Sequence, residues 1–311
     1  MDQLRRYAYY LFMLGYLATL LAFSWYEGSL WGPSTIFFLL SAALLGSIGL
    51  DKPWTRPWLA LVIIGLSFQV ISGPIDALGD RGGVFSLFDL DKYAWGFNLT
   101  GWTQSTFSSE PVTVATSLVY AALIPFVVGT SFALWRYRRG NFARFATAMV
   151  LTSYGALLTF VLMPTAPPWF GGAASNLFRA SGVEGVSGVF APLSTLVVPD
   201  YFAAFPSLHA AYTITCCYFL SKVDYRLGLL GGLVAGATLF STLYLGQHYA
   251  LDLFGGAVYS LVPCLVSERL GFPTRKDKRE KNAAREPRFS EGQVRGRGLK
   301  KEPGSRGVRE R

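Results

Sequence analysis

Apolar residues gather into eight long runs, at 7–25, 34–50, 58–73, 112–135, 145–163, 205–221, 227–245 and 249–266. About 20 consecutive apolar residues are needed for a helix to cross a bilayer's hydrocarbon core. A lone segment in hydrocarbon satisfies all its own backbone N–H and C=O groups only as a helix. The pattern therefore predicts an all-α, polytopic membrane helix bundle of about eight transmembrane helices. The second, third and sixth runs are short, which leaves room for one tilted or re-entrant segment. The first run follows Arg5-Arg6 and has no small-residue cleavage site after it, so it reads as a retained anchor.

The polar segments between the runs alternate in charge. Arg5-Arg6, Lys52 with Arg56, the cluster Arg136, Arg138, Arg139 and Arg144, Lys222 with Arg226, and the C-terminal tail fall on one side. Glu27, the acidic segment 73–111 and the nearly neutral segment 164–204 fall on the other. The positive-inside rule then predicts both termini in the cytoplasm and the two long loops on the extracytoplasmic face. Within the first loop, residues 89–97 mix aromatic and charged side chains as interfacial segments do. Asp76 and Asp80 read as solvated loop acids, with binding of a polyol head group as the alternative. Asn98-Leu99-Thr100 is a glycosylation sequon, meaningful only in a host that glycosylates.

Composition agrees with a membrane protein. The 311 residues are 51% hydrophobic and only 15% charged, against about 25% charged in soluble domains. Cys216, Cys217 and Cys264 lie in apolar stretches and predict helix packing, with no disulfide framework. From Glu268 onward there are 15 Lys/Arg and 7 Asp/Glu, which accounts for +8 of the net charge of +9. That tail has too few apolar residues to offset the entropy of ordering, so 268–311 is expected to be disordered. Anionic lipid headgroups are its expected partner, and no nucleic-acid role is expected. The expected organisation is a transmembrane catalytic domain at 1–267, with N-terminal helices and an outer loop to 111 and a core at 112–267, followed by the tail.

The chain has only two histidines. One lies in Phe205-Pro206-Ser207-Leu208-His209, the other in His248-Tyr249-Ala250-Leu251-Asp252, and the predicted topology puts both on the outer face. Helical spacing lets Asp252 reach one nitrogen of the His248 ring and leave the other free. An imidazole held in that way is a competent nucleophile toward phosphorus, and a second histidine can protonate the departing oxygen. Pro206-Ser207 opens a helix whose free N–H groups and hydroxyl suit a phosphate oxygen. No further carboxylate or Cys/His cluster is apparent, so no metal and no cofactor is expected. Gly231-Gly232 and Gly255-Gly256 read as close helix contacts.

Two of these segments resemble the second and third signature motifs of the type 2 phosphatidic acid phosphatase superfamily, the integral-membrane lipid phosphate phosphatases and phosphotransferases. Pro206-Ser207-Leu208-His209 is similar to Pro-Ser-Gly-His, and Ser241, His248 and Asp252 match the spacing of the third motif. The resemblance covers roughly 145–266 and implies a six-helix lipid-phosphatase-like core. It implies that His248 is the nucleophile forming a phosphohistidine, Asp252 its orienting partner and His209 the general acid, with Ser207, Leu208 and Ser241 beside the substrate. The sequence departs from the family at Leu208, in place of glycine, and at Thr242, in place of arginine. The first motif's cations are missing from Pro164-Thr165-Ala166-Pro167-Pro168-Trp169.

A phosphate monoester dianion gains most from Arg or Lys clamps, so a cation-poor site better suits a singly charged phosphodiester. The same departures resemble the inositol phosphorylceramide synthase branch, which moves a phospho-head group from phosphatidylinositol to a lipid hydroxyl. That resemblance implies a membrane lipid donor and a lipid acceptor. Pro164 and Trp169 would flank the substrate, although Trp169 with Phe170 better fits an interfacial aromatic belt. Arg179, the lone cation of segment 164–204, either supplies the missing clamp or is simply exposed at the interface. Two other readings stand beside transfer. One is a lipid- or polyprenyl-phosphate phosphatase that uses water as acceptor. The other is a catalytically silent channel or scaffold, which predicts histidines far apart.

Overall fold

The computed structural model describes residues 55–80, 84–181 and 202–270, with Gly15, Ala18, Ala22, Leu39, Ser41 and Ala42 as isolated helical positions. The chain divides into units Met1–Phe272 and Pro273–Arg311, and every described residue lies in the first. The predicted runs at 7–25 and 34–50 lie outside the described residues apart from those six positions. The side chains of Asp76 and Asp80, and the tail beyond 270, lie outside them too.

Ten helices form among the described residues: α1 Thr55–Asp80, α2 Phe88–Trp95, α3 Leu99–Phe107, α4 Glu110–Ala121, α5 Leu123–Tyr137, α6 Arg139–Leu162, α7 Leu177–Ala180, α8 Leu208–Ser221, α9 Tyr225–Tyr244 and α10 Ala250–Arg269. Three of them, α6, α9 and α10, are long and apolar enough to cross a membrane, with mean hydropathies of 1.8, 1.6 and 1.5. Together α4 and α5 make a fourth candidate, bent by 45°. The bend has a covalent cause. Pro125 has no N–H to donate, and its ring crowds the carbonyl four residues back, at Ala121.

The protein is thus an all-helical, multi-pass membrane protein with three to four candidate spans among the described residues. Eight spans are not seen there. The run at 58–73 contributes only the apolar stretch Thr55–Phe68 of α1. The run at 205–221 yields a 14-residue helix, about 21 Å long against a hydrocarbon core of about 30 Å. This short helix, α8, is the centre of the bundle and packs on α5, α6, α9 and α10. Accordingly most of it is buried, from Ala210 and Ala211 through Cys216 to Phe219, and the stripe of Ile214, Cys217, Tyr218 and Ser221 is more open.

One core cluster joins Leu134, Phe142, Phe145, Met149, Cys216 and Phe219, with Cys264 of α10. Hydroxyl pairs cross-link the helices inside it, Ser153 to Tyr212 at 2.7 Å and Thr215 to Ser260 at 2.9 Å. Such pairs suit an interior where helices gain little from hydrophobicity alone. A second cluster, with Ile75, Leu157, Phe160, Ala166 and Phe202, lies under the connecting segments.

Segment 73–111, expected as a loop, is mostly helical. In it α1 runs on to Asp80, and α2 and α3 follow. Asn98 caps α3 by accepting from the Gly101 N–H at 3.0 Å, and its amide donates to the Ala173 carbonyl at 2.7 Å. The sequon asparagine is therefore engaged in holding two connections together. Three segments then meet in parallel bridges, Phe85 with Thr165 and Thr165 with Ala203. Backbone bonds from Phe85 N to Pro164 O (2.8 Å), Ala166 N to Phe85 O (2.9 Å), Thr165 N to Phe202 O (2.8 Å) and Ala204 N to Thr165 O (3.1 Å) close this layer.

The close approach of α8 to α10 requires glycine. A Cβ on Gly256 would collide with the Ser207 carbonyl oxygen, and one on Gly255 would lie 2.5 Å from the Phe205 ring. Nothing lies within 4 Å of a Cβ placed on Gly236 of α9. Gly256→Ala is expected to destabilise the protein by about 1–3 kcal/mol through overpacking. Gly236→Ala should be neutral or stabilising by up to about 1 kcal/mol. Thermal melting of the two variants in the same detergent checks the contrast.

Candidate active site

The turn between α9 and α10 carries His248. Its backbone reverses at Gly246, whose φ of +76° is left-handed and where a Cβ would collide with the Ser175 carbonyl oxygen. The Gln247 and His248 N–H groups both donate to the Thr242 carbonyl, at 3.0 and 3.3 Å. From α3, the Gln104 amide donates to the carbonyls of Tyr244 (2.9 Å) and Ser175 (2.8 Å). The turn is therefore fixed from both sides.

His248 is 6% exposed, and its Nδ1 lies 3.0 Å from the Ala204 carbonyl oxygen. A carbonyl can only accept, so Nδ1 carries the proton and Nε2 of the neutral ring keeps a free lone pair. Asp252 Oδ2 is 3.5 Å from the same Nδ1, too far for a strong hydrogen bond but close enough for charge support. The ring is thus oriented first by a backbone carbonyl and only second by the carboxylate.

The local geometry also differs from the helical i, i+4 face expected. His248 precedes the N-cap Tyr249, and α10 begins at Ala250. Asp252 reaches back because its Oδ2 accepts the Tyr249 N–H at 2.7 Å, the reciprocal half of a capping box. Asp252 is fully buried, and among the described residues its Oδ1 has no hydrogen-bond partner.

A second carboxylate stands at the same helix end. Asp91 of α2, 2% exposed, accepts the Leu251 N–H at 2.9 Å. Burial pushes the Asp91 carboxyl above its ordinary value, while hydrogen bonds from Leu251, Trp95 and Ala250 pull it back. Asp91 therefore ties the start of α10 to the connecting helices.

His209 sits in the first turn of α8, behind the N-cap Ser207, whose Oγ accepts from Ala210 N at 3.4 Å. The Ser207 N–H in turn donates to the Asp252 backbone carbonyl at 3.0 Å. The two imidazole centroids are 5.9 Å apart, close enough for both rings to contact one phosphoryl group. His209 stacks on Tyr120 of α4 at 4.0 Å and 18°. A hydrogen bond to the Tyr120 backbone carbonyl also holds its ring. Tyr120 in turn packs on Phe178 of α7 at 4.9 Å.

The other residues singled out from the sequence take varied positions. Ser241 is fully buried and donates to the Thr238 carbonyl of its own helix. Pro164 is buried, and its carbonyl serves the bridge layer. Leu208 is half-buried and packs against both core clusters. Trp169 is half-buried beside Phe170, and its backbone N–H donates to the Gly246 carbonyl at 3.3 Å. Arg179 is exposed on α7, but its short helix touches both histidine neighbourhoods. Phe178 contacts Tyr120, and Asn176 accepts from Gln247 Nε2 at 2.9 Å.

Known proteins contain related chains. A family model described as PAP2 superfamily matches residues 86–266. The chain belongs to the PAP2 superfamily. The match takes in both histidines and Asp252, and it begins well before residue 145, so α2 to α5 fall within the family's extent. This PAP2-superfamily enzyme is 25% identical over 252 residues to the inositol phosphorylceramide synthase catalytic subunit of Schizosaccharomyces pombe, covering 74% of this chain and 58% of that one. It is 31% identical over 118 residues to inositol phosphorylceramide synthase of Candida albicans, covering 34% of this chain and 25% of that one. It is 24% identical over 251 residues to phosphoinositol dihydroceramide synthase of Bacteroides thetaiotaomicron, covering 74% of this chain and 77% of that one. The chain thus spans little more than half of the fission-yeast relative and a quarter of the Candida one. No solved structure matches.

Asp91, Tyr120, Ala204 and Gln104 of this PAP2-superfamily enzyme were not legible as site residues. The Ala204 contribution is a backbone atom, and the Asp91–Leu251 bond joins positions 160 residues apart. Asp91→Ala is expected to destabilise the fold by about 1–3 kcal/mol, since it leaves buried N–H groups unpaired. It should also accelerate amide exchange at Leu251. Asp91→Asn, which keeps an acceptor oxygen, should recover most of that protection. Hydrogen–deuterium exchange over residues 249–253 distinguishes the two variants.

Proposed function

We propose that this PAP2-superfamily enzyme moves a phospho-head group, inositol-phosphate-like, from a phosphodiester lipid to the hydroxyl of a second lipid. One observation carries the reading: His248 holds its proton at Nδ1 against the Ala204 carbonyl, so Nε2 is free, 5.9 Å between ring centroids from His209. His248 Nε2 attacks phosphorus, an N–P bond forms, and the P–O bond to the donor lipid breaks as His209 gives its proton to that oxygen. Asp252, buried 3.5 Å from Nδ1, stabilises the positive ring that results. In the second half, the acceptor hydroxyl gives its proton to His209, its oxygen bonds to phosphorus, and the N–P bond breaks. N–H groups in the first turn of α8, at Leu208 and His209, have no intrahelical carbonyl and are suited to a phosphate oxygen. Arg179 is the cation assigned to the phosphate, on a helix tied to both histidine neighbourhoods.

Two features favour transfer over release to water. Segment 164–169 carries no cation, which suits a phosphodiester monoanion. The relatives are named as inositol phosphorylceramide and phosphoinositol dihydroceramide synthases. The separated histidines that a silent channel or scaffold requires do not fit a 5.9 Å spacing. We extend the reading to the whole chain as eight spans around a six-helix catalytic core. Both termini are cytoplasmic, the site faces the extracytoplasmic side, and the basic tail lies against anionic headgroups.

Incubation with phosphatidylinositol labelled in its head-group phosphate, plus a long-chain lipid alcohol, is expected to put label on the alcohol. Label recovered only as free inositol phosphate would support the hydrolase instead. His248→Ala should abolish both phosphohistidine and product. His209→Ala should slow turnover by about 10²–10⁴-fold, and Asp252→Asn by about 10²-fold or more. Full activity in His248→Ala or Asp252→Asn would refute the nucleophile assignment.

A further inference from the structure

One turn deeper along α8 than His209, a cavity of about 170 Å³ opens between α4, α5, α8 and α9. Val119, Ala122 and Phe126 from the α4–α5 break form one wall, Thr213 of α8 the floor, and Val234 and Ala237 of α9 the other wall. Thr213 and Thr238 bring hydroxyls to this lining, but both are spent on their own helices. Thr213 Oγ1 donates to the His209 carbonyl at 2.7 Å and Thr238 Oγ1 to Val234 at 2.9 Å. The cavity therefore offers no hydrogen-bonding group in need of a partner, and a head group or ordered water would lose bonds by entering. Apolar cavities of about 150 Å³ stay dry and admit a six-carbon ligand. Ala122 and Ala237 are exposed at the rim, so the cavity opens sideways, where a membrane protein meets hydrocarbon.

We propose that this cavity receives the upper methylenes of the lipid whose oxygen sits at His209, first the departing donor lipid and then the acceptor. The proposal rests on the phosphohistidine reading. In that reading one histidine both protonates the leaving oxygen and deprotonates the attacking one. Microscopic reversibility then puts the two oxygens in one place. His209 is four residues, about 6 Å of helix rise, from Thr213, and Val119 adjoins the Tyr120 that stacks on His209. A chain attached near the reacting oxygen reaches the cavity within a few bonds. The cavity lies beside the 45° break between α4 and α5, whose flanking residues Val119, Ala122 and Leu123 line it.

The test fills the cavity from its rim, with Ala122→Phe and Ala237→Phe. Both positions are exposed, so neither substitution overpacks the core. Two half-reactions are read separately: labelling of His248 by a phosphatidylinositol donor, and transfer of that label to long-chain against very short-chain alcohols. Each methylene buried is worth about fourfold in kcat/KM. Filling should therefore cost both half-reactions tenfold or more with long chains and leave very short alcohols unaffected. Loss in only one half-reaction, or equal loss for short and long alcohols, would overturn the shared subsite.

A binding readout keeps this apart from the catalytic reading. A long-chain alcohol with a diazirine about six carbons from its hydroxyl is photolysed with the His248→Ala protein. Adducts on the peptides carrying Phe126 or Val234, lost on Ala237→Phe, support the cavity even if no phosphohistidine forms. Adducts spread evenly over lipid-facing helices would sink it. Wild-type protein that takes no label on His248 yet yields those adducts would instead refute the phosphohistidine mechanism.

Discussion

The arrangement depends on the hydrogen bond from His248 Nδ1 to the Ala204 carbonyl. That oxygen is held in turn by backbone bonding, since the Ala204 N–H donates to Thr165, and Thr165 and Ala166 are bridged to Phe85. A continuous path of main-chain bonds therefore runs from the segment before α2 to the ring of His248. A carbonyl does not titrate, so it sets the tautomer independently of the carboxylate nearby. Asp252 is left to respond to charge: buried and only 3.5 Å away, it gains most when the imidazole becomes positive. The His248 ring thus has two different neighbours at Nδ1, a backbone carbonyl at 3.0 Å and a carboxylate at 3.5 Å.

Helix ends supply nearly every other part of the site. Ser207 caps α8, Asn98 caps α3, Asn176 caps α7, and Asp252 and Asp91 both serve the start of α10. Each cap satisfies N–H groups that would otherwise be orphaned. Caps also fix the direction in which a chain enters a helix, so they double as positioning devices for side chains one or two residues away. The same economy explains why the connecting segments α2, α3 and α7 are ordered over the site. Gln104 and Asn176 bond the turn around Gly246, and Asp91 bonds the start of α10.

Much of the candidate site was legible because it depends on residue type and spacing. Two histidines, a carboxylate four residues after one and a Pro-Ser before the other, are unusual in so apolar a chain. The family extent was only partly legible: the resemblance covers roughly 145–266, but the match begins at 86, since helices α2 to α5 carry no chemical signatures of their own. Asp91 stood only as one residue of an interfacial segment, and Ser241 and Pro164 as substrate contacts. All three are buried in the structure, which the sequence does not show because a side chain's surroundings come from segments distant in sequence. The expected i, i+4 geometry was also reached by a different route, through a cap and not along a continuous helix.

The sequence by itself determined the class of the molecule. Long apolar runs in a chain poor in charge admit only membrane helices, and the histidine motifs admit phosphoryl chemistry. Tertiary structure decided which nitrogen of His248 is free, which backbone carbonyl holds it, and what lies beneath His209. Those facts depend on main-chain atoms and on cavities between helices. Neither leaves a residue-type signature, because any side chain carries the same carbonyl and a void is defined only by the walls that happen to meet.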